Sequence, residues 1–227
     1  MVVYPLVCDG FSLEKINGGY KETALMRFRH QVFRQELGWL PESANGLDLD
    51  EYDVLSDNYA VITQNRVIGS ARIILGYYPF MIEREFSTLL PTRGVAHKGP
   101  KSSEVTRFAV GRDHSGRRPE VAVRLLFYCL YQWAKAHDVR WMYFVVEPPF
   151  FRLLAHQGFP VLAIGSPLPL NGGVMSQAGY FDWDRAQVEF LEELCAVAKT
   201  SFGTQNRPRN PRPKTRTPSL VGCNRYL

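Results

Sequence analysis

The chain has 227 residues, 45% of them apolar and 22% charged, a size and balance that suit one soluble domain with its own core and exclude a low-complexity or fibrous chain. Its apolar runs fall far short of the ~18 residues a membrane span needs, and the start, MVVYPLVCDG, lacks the basic region and long apolar stretch of a secretory signal. Net charge is +5, but Arg207, Arg209, Arg212, Lys214, Arg216 and Arg225 follow Gly203 with no acid among them, which leaves −1 for everything before; a near-neutral body excludes a broad nucleic-acid surface.

In chain order, VVYPLV reads as a first strand. Lys21 to Leu37 places Leu25, Phe28, Val32, Phe33 and Leu37 at helical spacing, and the helix runs into a Leu-Gly-Trp corner at Trp39. LPESANGLDLDEYDVLSD is an acidic, turn-rich loop. NYAVIT and RVIGSARIIL read as strands joined by a hairpin turn at TQNR. A short helix is expected at Met81–Leu90, then a Gly/Pro/Lys-rich stretch. SEVTRFAV is a strand. GRDHSGRRPEV is a turn that leaves Pro119 at the first position of a helix, whose stripe is Ala122, Leu125, Leu126, Cys129, Leu130 and Trp133. RWMYFVVEP is a buried strand, PFFRLLAHQGF a short helix ended by Gly158, PVLAIG and GVMSQAGYFDW strands, and Asp184 to Lys199 a closing helix. This order predicts a three-layer αβα sandwich, a mixed sheet with helices on both faces. It occupies residues 1–202. Residues 203–227 form a basic Pro-rich tail with too little apolar content to offset the entropy of ordering, so disorder is expected there. Cys8, Cys129, Cys195 and Cys223 are scattered, with no zinc spacing; a reduced, cytoplasmic protein without a metal site is expected.

Four clusters carry chemical potential. Arg29 stands one turn before Phe33, followed by Trp39; an arginine there is commonly ion-paired or snorkelling. DLDEYD packs Asp48, Asp50, Glu51 and Asp53 into six residues, a group that needs solvent or cations to neutralise it and lacks the glycine and final glutamate of a calcium loop. Arg72, inside an apolar strand, requires an anionic partner. Glu104 and Arg107 stand on one strand. Strict alternation puts Glu104 with Thr106 and Phe108 and turns Arg107 to the other face, so both serve one site only if a bulge re-aims one of them. A fifth, weaker feature is the helix N-terminus beside Arg112, Arg117 and Arg118, an arrangement that can hold a phosphate.

The ordered set Arg29, Phe33, Trp39, Asp50, Asp53, Arg72, Glu104, Arg107 and Phe108, in the segments LGW, DEYD, SARI and EVTRF, resembles the LuxI-type acyl-homoserine lactone synthases over roughly Leu25 to Gly158. The resemblance implies an N-acetyltransferase-like fold and an acyltransferase that makes a quorum-sensing signal from S-adenosylmethionine and an acyl thioester, releasing methylthioadenosine. S-adenosylmethionine is then a substrate, and no cofactor is needed. The acyl donor arrives on acyl carrier protein or coenzyme A. The implied roles are Glu104 as general base, Asp50 and Asp53 toward the cationic donor, and Arg29 and Arg107 toward a carboxylate or the acidic loop. Arg72 pairs with that loop, while Arg112, Arg117 and Arg118 take the phosphopantetheine. The chain departs from the family where members making 3-oxo signals carry Thr or Ser: Phe144 is aligned there and is expected to line the acyl pocket. The Pro148-Pro149 pair is also unusual. The alternatives are an acyltransferase of the same fold with another amine acceptor, and a non-catalytic module using the basic tail.

Overall fold

Gln64 and Asn65 both take left-handed backbone conformations, with φ of 47° and 59°, the geometry of a two-residue hairpin turn. They join β3 (Ser56–Thr63) to β4 (Arg66–Leu75) in a computed structural model that describes residues 4–92, 94–112, 119–170 and 173–201. The remaining strands are β1 (Leu6–Cys8), β2 (Phe11–Ile16), β5 (Ser102–Val110), β6 (Trp141–Val146), β7 (Val161–Pro169) and β8 (Met175–Asp182). They form one sheet in the order β1-β2-β3-β4-β5-β6-β8-β7. Every neighbouring pair is antiparallel except β5 and β6.

Helices cover both faces. On one side lie α1 (Gly19–Arg29) and the single turn α2 (Met81–Arg84). On the other lie α3 (Glu120–Ala136), α4 (Pro148–His156) and α5 (Val188–Ser201). This is the three-layer sandwich that the element order predicts. The main core forms where the apolar stripe of α3 meets Leu13, Val61, Ile73, Val105 and Phe108 of the strands. Burial of each such side chain contributes roughly 1.5–3 kcal/mol. Gly69 lets this helix approach closely: a Cβ there would meet Leu126 at 3.3 Å and Val61 at 3.2 Å.

Three elements differ from the sequence reading. The strand β2 was not anticipated. The helix expected as one piece to Leu37 is α-helical only to Arg29 and continues as a π-helical segment, His30–Glu36. The helix expected at Met81–Leu90 is the four-residue α2 followed by a 3₁₀ turn, Ser87–Leu89.

Two irregularities of β5 position the site. Its pairing with β6 covers only Ser102, Ser103 and Glu104, opposite Trp141, Met142 and Tyr143. Beyond Glu104 the strands separate, and main-chain groups that would have continued the ladder face a gap. On the β4 side, Arg72 pairs with Thr106 and Ser70 with Ala109, so Ala71 alone opposes Arg107 and Phe108. Arg107 has φ of 51°. This is a bulge, and it turns the Arg107 side chain to the face that carries Glu104 and Thr106.

Candidate active site

The Leu-Gly-Trp corner is a helix cap that also builds a wall. Leu37 N–H donates to Val32 O at 3.0 Å and Trp39 N–H to Phe33 O at 3.0 Å, across Gly38 at φ 63°, where a side chain is disfavoured. The corner folds the Trp39 ring back to 6.0 Å from that of Phe33. Ties to the acidic loop hold the π-helical turn in place. Ser43 N–H donates to His30 Nε2 at 3.3 Å, and Arg34 donates to Pro41 O at 2.6 Å and to Asp48 Oδ1 at 2.9 Å.

That loop reads against arginines from three separate elements. Arg29, fully buried at the end of α1, donates to Asp48 at 3.0 Å and bidentately to Asp53 at 2.7 and 3.2 Å. Arg72 of β4, also fully buried, pairs with Asp50 and with Asp53 at 3.1 Å, and donates to Thr106 Oγ1 at 2.9 Å and Met81 Sδ at 3.0 Å. Arg107, aimed by the bulge, donates to Asp48 at 2.7 Å and Asp50 at 3.0 Å and lies 5.4 Å from the centroid of the Phe33 ring. Each aspartate is shared between two arginines or more. Burial alone would raise the Asp48 and Asp53 pKa values, yet the arginines hold both below the usual carboxylate range. Arg72 is raised in turn: burial opposes its charge, but Asp50 and Asp53 outweigh it.

Glu104 has a different environment. It is buried, and its two oxygens accept the N–H groups of Met81 at 2.6 Å and Ile82 at 2.8 Å in the first turn of α2. Burial pushes its pKa up to about 7, against the pull of those two N–H groups, Arg72 and Lys98. It faces a cavity of about 790 Å³ that occupies the gap between β5 and β6. Phe33, Arg34, Trp39, Asp50, Tyr52, Glu104, Thr106 and Arg107 form part of the lining. Met81, Phe86, Val145, Leu168, Leu170 and Val174 add an apolar wall from α2 and the ends of β6 to β8. Five carboxylates line it, Asp50, Glu51, Glu85, Glu104 and Glu147, against two arginines, Arg34 and Arg107. The walls are therefore acidic and suit a cationic ligand.

The fold brings Arg29, Phe33, Trp39, Asp50, Asp53, Arg72, Glu104 and Arg107 together, from six segments of the chain. Phe33, Trp39, Asp50, Glu104 and Arg107 reach the cavity wall; Arg29, Asp53 and Arg72 stand behind it in the ion network. Two expectations are corrected. The Phe108 ring turns into the α3 layer and packs 4.7 Å from Phe127, because the bulge displaces it from the face of Glu104. Phe144 likewise faces the α3–α4 layer, against Phe181 at 4.7 Å and Phe151 at 6.1 Å, and does not line the pocket. Its neighbour Val145 does. Arg112 is exposed at the end of β5, and Arg117 and Arg118 lie outside the described residues. The sequence reading missed Asp48 as the hub of the network, along with Arg34, Tyr52, Thr106 and Glu147. The only cue to Asp48 was its place in the acidic run.

A sheet whose central parallel pair splays around a cavity, with helices on both faces, defines the N-acetyltransferase-like class. Solved structures share it. The chain superimposes on BjaI, a CoA-dependent acyl-homoserine lactone synthase with SAM and isopentyl-CoA, at a TM-score of 0.68 and 20% identity over 86% of this chain and 89% of that one. TofI, in a ternary complex with an inhibitor and MTA, gives 0.67 and 21% over 82% and 99%. At 30% identity over 169 residues, 72% of this chain and 79% of the relative, it matches an acyl-homoserine-lactone synthase of Rhizobium radiobacter; one from Vibrio anguillarum is 32% identical over 63% of this chain and 75% of the relative. The autoinducer synthase model matches residues 16–191, and the chain belongs to that family.

Proposed function

We propose that this chain is an acyl-homoserine lactone synthase that takes S-adenosylmethionine and an acyl thioester, on carrier protein or coenzyme A, and releases methylthioadenosine. The observation that carries the reading is the placement of Glu104: a buried carboxylate with a pKa near neutrality, in an acidic cavity, beside a strand gap. The donor brings a sulfonium and an ammonium. Asp50 and the aromatic faces of Phe33, Trp39 and Tyr52 receive them, with Arg107 toward the carboxylate. The thioester enters the gap, its acyl chain along Val145, Leu168 and Val174. Open main-chain groups of β5 and β6 are available to its carbonyl.

In the first step the amine nitrogen attacks the thioester carbonyl. The ammonium first gives one proton to Glu104, directly or through water; as the neutral nitrogen bonds the carbonyl carbon and the carbon–sulfur bond breaks, its second proton goes to the departing thiolate, which leaves as thiol. The unperturbed amine pKa of about 7.7–8.0 makes a base poised near 7 well matched. In the second step the donor's carboxylate oxygen attacks its own γ-carbon, the carbon–sulfur bond breaks, and the sulfur takes the electron pair as neutral methylthioadenosine. The sulfonium already leaves well, so holding the carboxylate in line is the main requirement. The reading needs no cofactor, and a cytoplasmic location supplies both substrates. No helix among the described residues is long and apolar enough to cross a membrane. The test is a purified enzyme assay: methylthioadenosine should form only when an acyl thioester is present. Acylated product without it would assign the chain to an acyltransferase with another amine acceptor.

A further inference from the structure

Because Glu104 hangs from the first turn of α2, whatever fixes α2 also aims the carboxylate. The geometry points to Lys98 as a positioning residue for the reaction: its ammonium clamps the start of α2 and keeps Glu104 both aimed at the cavity and charged. This rests on the reading of Glu104 as the base.

Lys98 lies in the connection between α2 and β5. Its Nζ donates to Tyr78 O at 2.7 Å, pairs with Glu83 Oε2 at 2.9 Å and sits 3.1 Å from the centroid of the Phe80 ring. Tyr78 and Phe80 precede Met81 and Ile82, and Glu83 follows them. One ammonium thus brackets the two residues whose N–H groups hold Glu104. The connection is itself anchored. Val95 N–H donates to Glu83 Oε1 at 3.3 Å, His97 N–H donates to Tyr143 Oη at 3.0 Å, and the His97 ring stacks on Trp141 at 4.2 Å. Tyr143 is in turn the register partner of Glu104 across β5 and β6. Although Lys98 is exposed, its ammonium is held from three directions over an aromatic face.

The charge matters as well as the grip. The groups around Glu104 are Arg72 from β4, Arg107 along β5, Tyr143 from β6, Glu83 on α2 and Lys98 from the connection. Of the two cations that favour its ionised form, Arg72 is already shared by Asp50 and Asp53. Lys98 has one ion pair among the described residues, to Glu83. Removing it withdraws a stabilising charge from the carboxylate, so a higher pH is needed to ionise the base.

The experiment is the pH dependence of kcat/KM for the acyl thioester at saturating S-adenosylmethionine. Lys98→Met keeps the aliphatic stem and removes the charge. Its acidic limb should move up by roughly 0.5–1 pH unit, whereas Lys98→Arg should keep the wild-type limb. Should Lys98→Met fail to fold, Lys98→Gln provides the same reading. A uniform loss of rate with an unmoved limb would overturn the proposal, since a purely structural lysine gives that result. Glu104→Gln separates the two claims. If it retains wild-type turnover, the reading of Glu104 as base fails; if it loses turnover while the Lys98→Met limb stays put, only the role of Lys98 fails.

Discussion

Asp48, Asp50 and Asp53 stand within six residues, yet the arginines that share them arrive from α1, the π-helical segment after it, β4 and β5. Charge pattern alone identified the acidic run and required a partner for Arg72. Which aspartate meets which arginine is decided by the fold, so Arg29 emerged as a brace behind the wall and Asp48 as the hub. Truncating such a partner leaves buried carboxylates undercompensated. Arg29→Met should cost about 3–5 kcal/mol, read as a lower midpoint in urea. Because the folded pKa values of Asp48 and Asp53 are depressed, their stabilisation is present above the ordinary carboxylate value and lost as pH falls through the folded one. Stability should therefore drop below about pH 4, and less steeply in Asp48→Asn. Glu104 acts in the opposite sense, since its raised pKa means that ionising it in the fold costs stability as pH rises toward 7. As the base it must be ionised, so turnover should fall as pH drops below about 7. Glu104→Gln should lose about 10²–10⁴-fold in rate, and near-normal turnover would remove it from the mechanism.

At the scale of elements, the sequence showed most strands and helices because period-2 and helical patterns are local. Facing was harder. WMYFVV lies between two helical layers, so both of its faces are apolar and no polar residue marks which side Phe144 takes. Strict alternation had kept Phe108 beside Glu104; the bulge at Arg107 moved it away and brought Arg107 in. The bulge had been named as the condition for a shared site, but no residue in EVTRF forces one. The switch from α- to π-helix at His30 depends on ties to Ser43, Pro41 and Asp48, distant from the helical pattern itself. These facings give opposed expectations for neighbouring residues of β6. Phe144→Thr should lower the melting temperature, at a cost of about 3–5 kcal/mol, and leave acyl-donor preference unchanged. Val145→Trp should shift preference toward shorter acyl chains by filling the cavity. Donor ratios and melting curves on both variants would check this, and a changed donor ratio in Phe144→Thr would return that residue to the pocket.

For the whole molecule, the net positive charge sits in the sequence after Gly203, and everything before it sums to −1. The cavity, its ion network and Glu104 all lie within residues 29–176, inside the segment matched by the autoinducer synthase model. A chain ending at residue 202 should accordingly keep its fold and its turnover; loss of activity on removing residues 203–227 would tie the tail to catalysis. The central claim, that one cavity performs both acylation and ring closure, is tested most directly by product stoichiometry. The full-length enzyme is given S-adenosylmethionine and a panel of acyl thioesters, and methylthioadenosine and acyl-homoserine lactone are quantified together by mass spectrometry. The account predicts equimolar formation of the two, with free thiol released in the same amount. Acyl amide that accumulates as an open form, with no matching methylthioadenosine for any donor, would contradict it.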